Sequence, residues 1–135
     1  MSIDLSWLIG RRCSAVHRDE FSWSFLFDPA VITTPCLWRL IEAGRIRVTS
    51  DDHGHQFGLA APVDARHEAE SILLSHAVES ANVRASTGDL ILEFADGLVL
   101  ELLQTSAGYE AWHLVSPDGQ SVVATGGGEL ATWKS

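Results

Sequence analysis

Asp51, Asp52, His53 and His55 stand within five residues, the densest gathering of side chains able to ligate a metal or move a proton. Imidazole and carboxylate donors suit zinc or iron, and a catalytic centre would need a further ligand. Asp51, His53 and His55 are the metal candidates, with His17, His67, His76 or His113 available to complete a set in space. The stretch has no histidine pair at helical i, i+4 spacing of the HExxH kind, and glycines interrupt it. A solvated polar loop between two strands is the weightier reading, with Asp51 and Asp52 free to face a polar partner.

The second candidate is "YEAWHLVSPDGQSVVATGGGELATW", Tyr109 to Trp133. Tyr109, Glu110 and Trp112 are binding candidates together with Asp51 and Asp52. Glu110 and Trp112 fall on one face of a strand. Either Trp112 is buried with Glu110 near an edge, or both face a groove. Gly126–Gly128 could offer backbone N–H groups to an anion. A phosphate loop also wants a following helix and a lysine, and neither stands there. His113 on a strand reads as an exposed or satisfied histidine more readily than as a general base. No GxSxG, no recognisable cysteine nucleophile and no GxGxxG occurs, so no enzymatic activity and no cofactor is expected.

The elements that must position these residues are those of one domain spanning 1–135. The chain is 46% hydrophobic and 20% charged, with five Trp and five Phe, enough for a core without disulfide or metal staples. Its net charge is −9. That excludes ready binding to nucleic acid or anionic membranes, which need basic patches, and favours a basic partner. Cys13 and Cys36 sit among apolar residues and read as buried thiols. No signal peptide opens the chain and no membrane span is present, so the expected location is cytoplasmic.

"FSWSFLF" alternates, placing Phe21, Trp23, Phe25 and Phe27 on one core-facing strand face. Asp28-Pro29 ends it. "VITTPCLWRLI" begins as a strand, with Pro35 marking an edge, a bulge or a break. Gly44 turns the chain into "RIRVTS", where Ile46 and Val48 alternate with arginines. The period then becomes helical around residues 64–78, with Asp64 as N-cap and Ala65, Ala69, Ile72, Leu73 and His76 on one face. Strands return at "NVRAST", "DLILEF", "LVLELLQ", "YEAWHLV" and "SVVAT". The fold class is α+β: strand-rich antiparallel meanders with one helix.

"LILEFADGLVLELL" predicts its own turn. Leu90, Leu92 and Phe94 share a face, as do Leu98, Leu100 and Leu102, and residues opposite each other in a hairpin point the same way. A two-residue Asp-Gly turn would set Leu92 against Glu101. A three-residue loop, Ala95-Asp96-Gly97, sets Phe94 against Leu98 and Leu92 against Leu100, with Gly97 at positive φ.

Two stretches, about 7–50 and 74–125, echo each other. Val16 precedes Phe27, and Val83 precedes Phe94, by the same spacing; Trp38 matches Trp112 and Leu40 matches Leu114. Duplication of a unit of about four strands is one reading. Chance likeness between amphipathic strands is the other. Duplication would set the two tryptophans at pseudo-symmetric places.

Gly88-Asp89-Leu90, Tyr109-Glu110-Ala111-Trp112 and Gly127-Gly128-Glu129-Leu130-Ala131 with Trp133 carry a resemblance. They resemble an uncharacterised family of small actinobacterial proteins with a C-terminal YEAW…GGELAxW signature. That family implies no established activity. Its size and acidity are similar to those of immunity proteins of bacterial toxin systems, a likeness of class alone. The expected function is a non-enzymatic cytoplasmic protein–protein interaction, an acidic surface binding a basic protein partner. The alternatives are a small ligand- or metal-binding domain using the Asp51–His55 loop, and a homodimeric structural module.

Overall fold

A computed structural model describes residues 3–134. Its strands are β1 (Ala15–Arg18), β2 (Trp23–Phe27), β3 (Ala30–Thr34), β4 (Trp38–Glu42), β5 (Arg45–Thr49), β6 (Val78–Val83), β7 (Leu90–Phe94), β8 (Val99–Leu102), β9 (His113–Val115), β10 (Gln120–Gly126) and β11 (Glu129–Lys134). Among the described residues there is one α-helix, α1 (Ala65–Leu73), and no helix long and apolar enough to cross a membrane. Sheet I has the order β1-β2-β3-β9-β10-β11 and sheet II the order β5-β4-β8-β7-β6. Every strand pair is antiparallel. The protein is therefore mostly β with some α.

The alternation of apolar residues along the strands decides which face turns inward. Trp23, Phe25 and Phe27 from sheet I and Trp38, Leu40, Leu92 and Phe94 from sheet II meet in one apolar cluster. Trp38 contacts Trp23 and Phe25 edge-on, with ring centroids 5.1 and 5.5 Å apart. Each such side chain removed from water contributes about 1.5–3 kcal/mol. The helix lays Ala65, Ala69 and Leu73 on this cluster and packs against β1 and β5. Its side chains also reach the outer edge of β1: Glu70 Oε2 accepts from Val16 N at 2.9 Å, and Arg66 Nη1 donates to Val16 O at 3.3 Å.

The predicted three-residue hairpin forms. Leu92 lies opposite Leu100, Phe94 N donates to Leu98 O at 2.7 Å, and Gly97 has φ 76°. Asp96 also adopts positive φ, 64°, a conformation that a short carboxylate side chain tolerates. Asp64 caps α1 as expected, accepting from His67 N at 3.0 Å.

Other expectations need correction. The helix ends at Leu73 rather than 78, because Ala77 and Val78 are drawn into backbone pairing with Arg11 and Arg12. "NVRAST" is strand only at Asn82 and Val83, because Gly88 N donates to Arg84 O at 2.7 Å and closes the rest into a turn; the strand is Val78–Val83. Phe21 is 76% exposed, since the Asp19 carboxylate accepts from the Phe21 and Ser22 N–H groups and holds both in a turn. Ile46 faces outward while Val48 is buried, because a bulge opposite Leu40 and Ile41 inserts Arg47 and reverses the alternation. Pro35 marks a break: the chain leaves sheet I at Thr34 and enters sheet II at Trp38. "YEAWHLV" is regular strand only from His113, with Ala111 N donating to Ala124 O at 2.8 Å and Ala124 N to Trp112 O at 3.0 Å just before it.

Two runs of strands follow one scheme. A meander β1-β2-β3 receives β9-β10 beside its third strand, and a meander β6-β7-β8 receives β4-β5 beside its third strand. Trp38 opens the strand crossing into one sheet, and Trp112 immediately precedes the strand crossing into the other. Both tryptophans are fully buried. The matched valines are out of step, however. Val16 lies opposite Phe25, whereas Val83 lies opposite Leu90 and it is Ala81 that faces Leu92.

Candidate interaction site

The loop after β5 is ordered by short-range hydrogen bonds that its sequence supplies. Thr49 N donates to Asp52 Oδ2 at 3.0 Å, closing a capping box over a single 3-10 turn, Ser50–Asp52. Ser50 Oγ accepts from Trp38 N at 3.1 Å, which ties the turn to the core. Gly54 N donates to Val63 O at 2.9 Å and Val63 N to His55 O at 2.7 Å, forming a neck. Beyond the neck, Leu59 N and the Gln56 side-chain amide both donate to backbone oxygens, of Gln56 and Leu59 respectively, at 2.8 Å.

This framework lifts Phe57 and Leu59 into solvent, 66% and 55% exposed. Phe57 sits at φ 48°, a left-handed conformation that costs a bulky residue about 1 kcal/mol. Its ring stacks on His55 with centroids 5.7 Å apart. Asp51 is exposed at the foot of the same loop and Asp52 is half-buried. From Ser50 to Asp64 the chain carries three carboxylates and no lysine or arginine.

The metal candidates do not converge. His53 Nδ1 accepts from Ala65 N at 3.1 Å and so serves the first turn of α1; its ring also meets Trp23 edge-on at 5.3 Å. His55 is stacked on Phe57, and Asp52 is held by the Thr49 N–H. Among the described residues no three His, Cys, Asp or Glu side chains are grouped to hold a metal ion.

The second group of candidates divides. Trp112 is fully buried and donates from Nε1 to Gly88 O at 2.8 Å. Tyr109 is 80% exposed and Glu110 is exposed beside it, so the three share no common surface. Around Trp112, Gly88, Asp89 and Gly128 come together as architecture. The buried Asp89 carboxylate accepts from Gln104 N at 2.8 Å, Arg84 Nη1 at 2.9 Å and Thr87 Oγ1 at 2.8 Å. The triglycine turn packs directly against this loop: at Gly128, φ 99°, a Cβ would lie 2.6 Å from Ser86 O. Close backbone approach, rather than anion binding, accounts for that glycine.

Both cysteines are free thiols. Cys13 is buried, and desolvation pushes its pKa up to about 12. A cleft of about 430 Å³ lies between the outer edges of β6 and β11, lined by Ile3, Leu5, Ala81, Val83, Arg84 and Glu129 among others. No sequence pattern marks it, because its walls come from two distant strand edges and the amino-terminal segment.

The whole defines a two-sheet, strand-rich protein whose ordered loop offers apolar side chains above acidic ones. The chain belongs to a family of unknown function, DUF6188, whose model matches residues 31–134, from β3 to the end of β11. No curated protein and no solved structure matches it.

Proposed function

We propose that this protein is a non-enzymatic cytoplasmic interaction protein, folded as a single domain, whose acidic surface binds a basic protein partner in the manner of an immunity protein. The observation that carries this reading is the loop Ser50–Asp64. A strained backbone holds a phenylalanine out in water: the left-handed φ costs stability, and the exposed ring forgoes the gain that burial would give. Strain retained at an exposed aromatic is accounted for by a contact made there. Phe57 and Leu59 are the anchors, and Asp51, Asp52 and Asp64 form a carboxylate rim that steers a basic surface onto them.

The test separates stability from binding. Phe57→Gly removes the ring and relieves the φ, so it raises stability by about 0.5–1 kcal/mol in denaturant titration. In the same protein, capture of a basic partner from native-host lysate at low salt is lost, and Asp51→Lys weakens it with a shallower salt dependence. Capture unchanged by Phe57→Gly would sink the reading.

The strand scheme shared by the two sheets supports a second inference, that the halves derive from one duplicated unit. In that reading Phe27 corresponds to Phe94 and Trp38 to Trp112, with Val16 corresponding to Ala81 rather than Val83.

A further inference from the structure

Directly opposed residues of an antiparallel sheet point the same way, so register assigns the outward face of sheet I row by row. One row runs across all six strands: Ala15, Leu26, Val31, Val115, Ser121, Trp133. The next runs His17, Ser24, Thr33, His113, Val123, Ala131. Neither contains an aspartate, glutamate, lysine or arginine, in a chain with 20% charged residues. All members but Ser121 and Val123 keep some exposure to solvent, and Trp133 is 48% exposed. A sheet face turned to water normally alternates polar or charged residues outward.

We propose that this face is a self-association surface, covered in solution by the same face of a second copy of the chain. Charge selects the occupant. Each copy carries −9, so two copies repel except where a contact avoids carboxylates. These rows are such a place. A basic partner would gain no electrostatic attraction there, so this inference stands apart from the role of the Ser50–Asp64 loop. Shape agrees. The first row runs from small Ala15 at one edge to Trp133 at the other. A twofold axis along the two central strands, β3 and β9, lays each copy's Trp133 over the other's Ala15. Sheets stack face to face at roughly 10 Å, with their strands close to aligned.

Size sets the strength. Six strands spaced about 4.8 Å apart and about five residues long cover roughly 400 Å², half the area each partner gives to a standard interface. The dimer is therefore reversible and concentration-dependent.

Sedimentation velocity of the full chain across the micromolar range, at low and high salt, tests it. The wild-type dimer fraction rises with concentration and also with salt, because salt screens the repulsion between copies. Capture of a basic partner has the opposite salt response, so failure of either reading leaves the other legible. Val115→Lys, at the centre of the first row, makes the chain monomeric at every concentration. Ile91→Lys, on the outward face of sheet II, leaves the dimer as it was. Should Val115→Lys fail to fold, Trp133→Ser carries the same test at the periphery, weakening the dimer by about tenfold. A wild-type monomer throughout, a dimer that survives Val115→Lys, or a dimer that Trp133→Ser leaves unweakened overturns the proposal.

Discussion

Sheet I sets Leu26, Val31 and Val115 side by side in an outward row; the matching row of sheet II reads Ile46, Ile41, Val99, Glu93, Ser80. The next row of sheet II holds Thr49, Arg39, Glu101, Ile91 and Asn82. Arg39 and Glu101 are hydrogen-bonded and ion-paired at its middle. Two sheets with the same strand scheme thus solve the outward face differently. Sheet II also lines up Ile46, Ile41 and Val99, but it sets Glu93 next to them in the row and the Arg39–Glu101 ion pair beside it. The two rows of sheet I carry no charge at all. The inward faces are interchangeable in kind, both aliphatic and aromatic, so the difference is not a demand of the core. It lies wholly on the outward side of each sheet.

The largest way to break this contrast is to break what both sheets share. Asp89→Ala leaves Gln104 N–H and the Arg84 guanidinium without their buried acceptor. It should cost about 3 kcal/mol, seen as a fall of about 10 °C in melting temperature. An unchanged transition would mean that the loop at Gly88–Asp89 does not brace the structure. A smaller effect sharpens the contrast on sheet II. Arg39→Thr leaves Glu101 nearly buried and unpaired and costs about 1–2 kcal/mol, whereas Arg39→Thr with Glu101→Thr costs less than the single change. Additive losses in a denaturant cycle would show the pair to be uncoupled.

The smallest effect concerns the thiols. Cys13 keeps its proton in the folded chain to about pH 12, against 9.0 when open. A raised thiol pKa means that its contribution to stability is complete below pH 9 and is lost as pH rises toward 12. At neutral pH a thiol reagent should modify half-buried Cys36 alone in the native protein and both cysteines in denaturant. Stability falling less steeply above pH 9 in Cys13→Ala than in wild type is the matching check. Equal slopes would place the thiol nearer to solvent.

Much of the interior is legible in the residues. Alternation at Trp23, Phe25 and Phe27 is a local signal, and so is the Leu92–Leu100 constraint that determines the loop at Ala95–Gly97. Legibility fails where a distant segment intervenes. Arg11 and Arg12 stop the helix by pairing with Ala77 and Val78, sixty-odd residues away. A bulge at β4–β5 puts Ile46 on the wrong face for its alternation. The candidate site shows the same limit. Asp51 and Asp52 are plain in the sequence as an acidic cluster. Phe57 and Leu59 in the same loop are not, since an apolar residue in a loop gives no sign of whether it folds back or is held out. The charge-free rows of sheet I are invisible until six strands from both ends of the chain are laid side by side in register.

The bonds from α1 to Val16 have a consequence for growth. A sheet with two open edges is a bifunctional monomer, able to add β11 of one molecule to β1 of the next without end. With the Val16 N–H and C=O taken by Glu70 and Arg66, one of those reactive ends is capped. Head-to-tail addition of β11 onto β1 is therefore blocked, and sheet I can grow edge to edge only by one β11–β11 pairing.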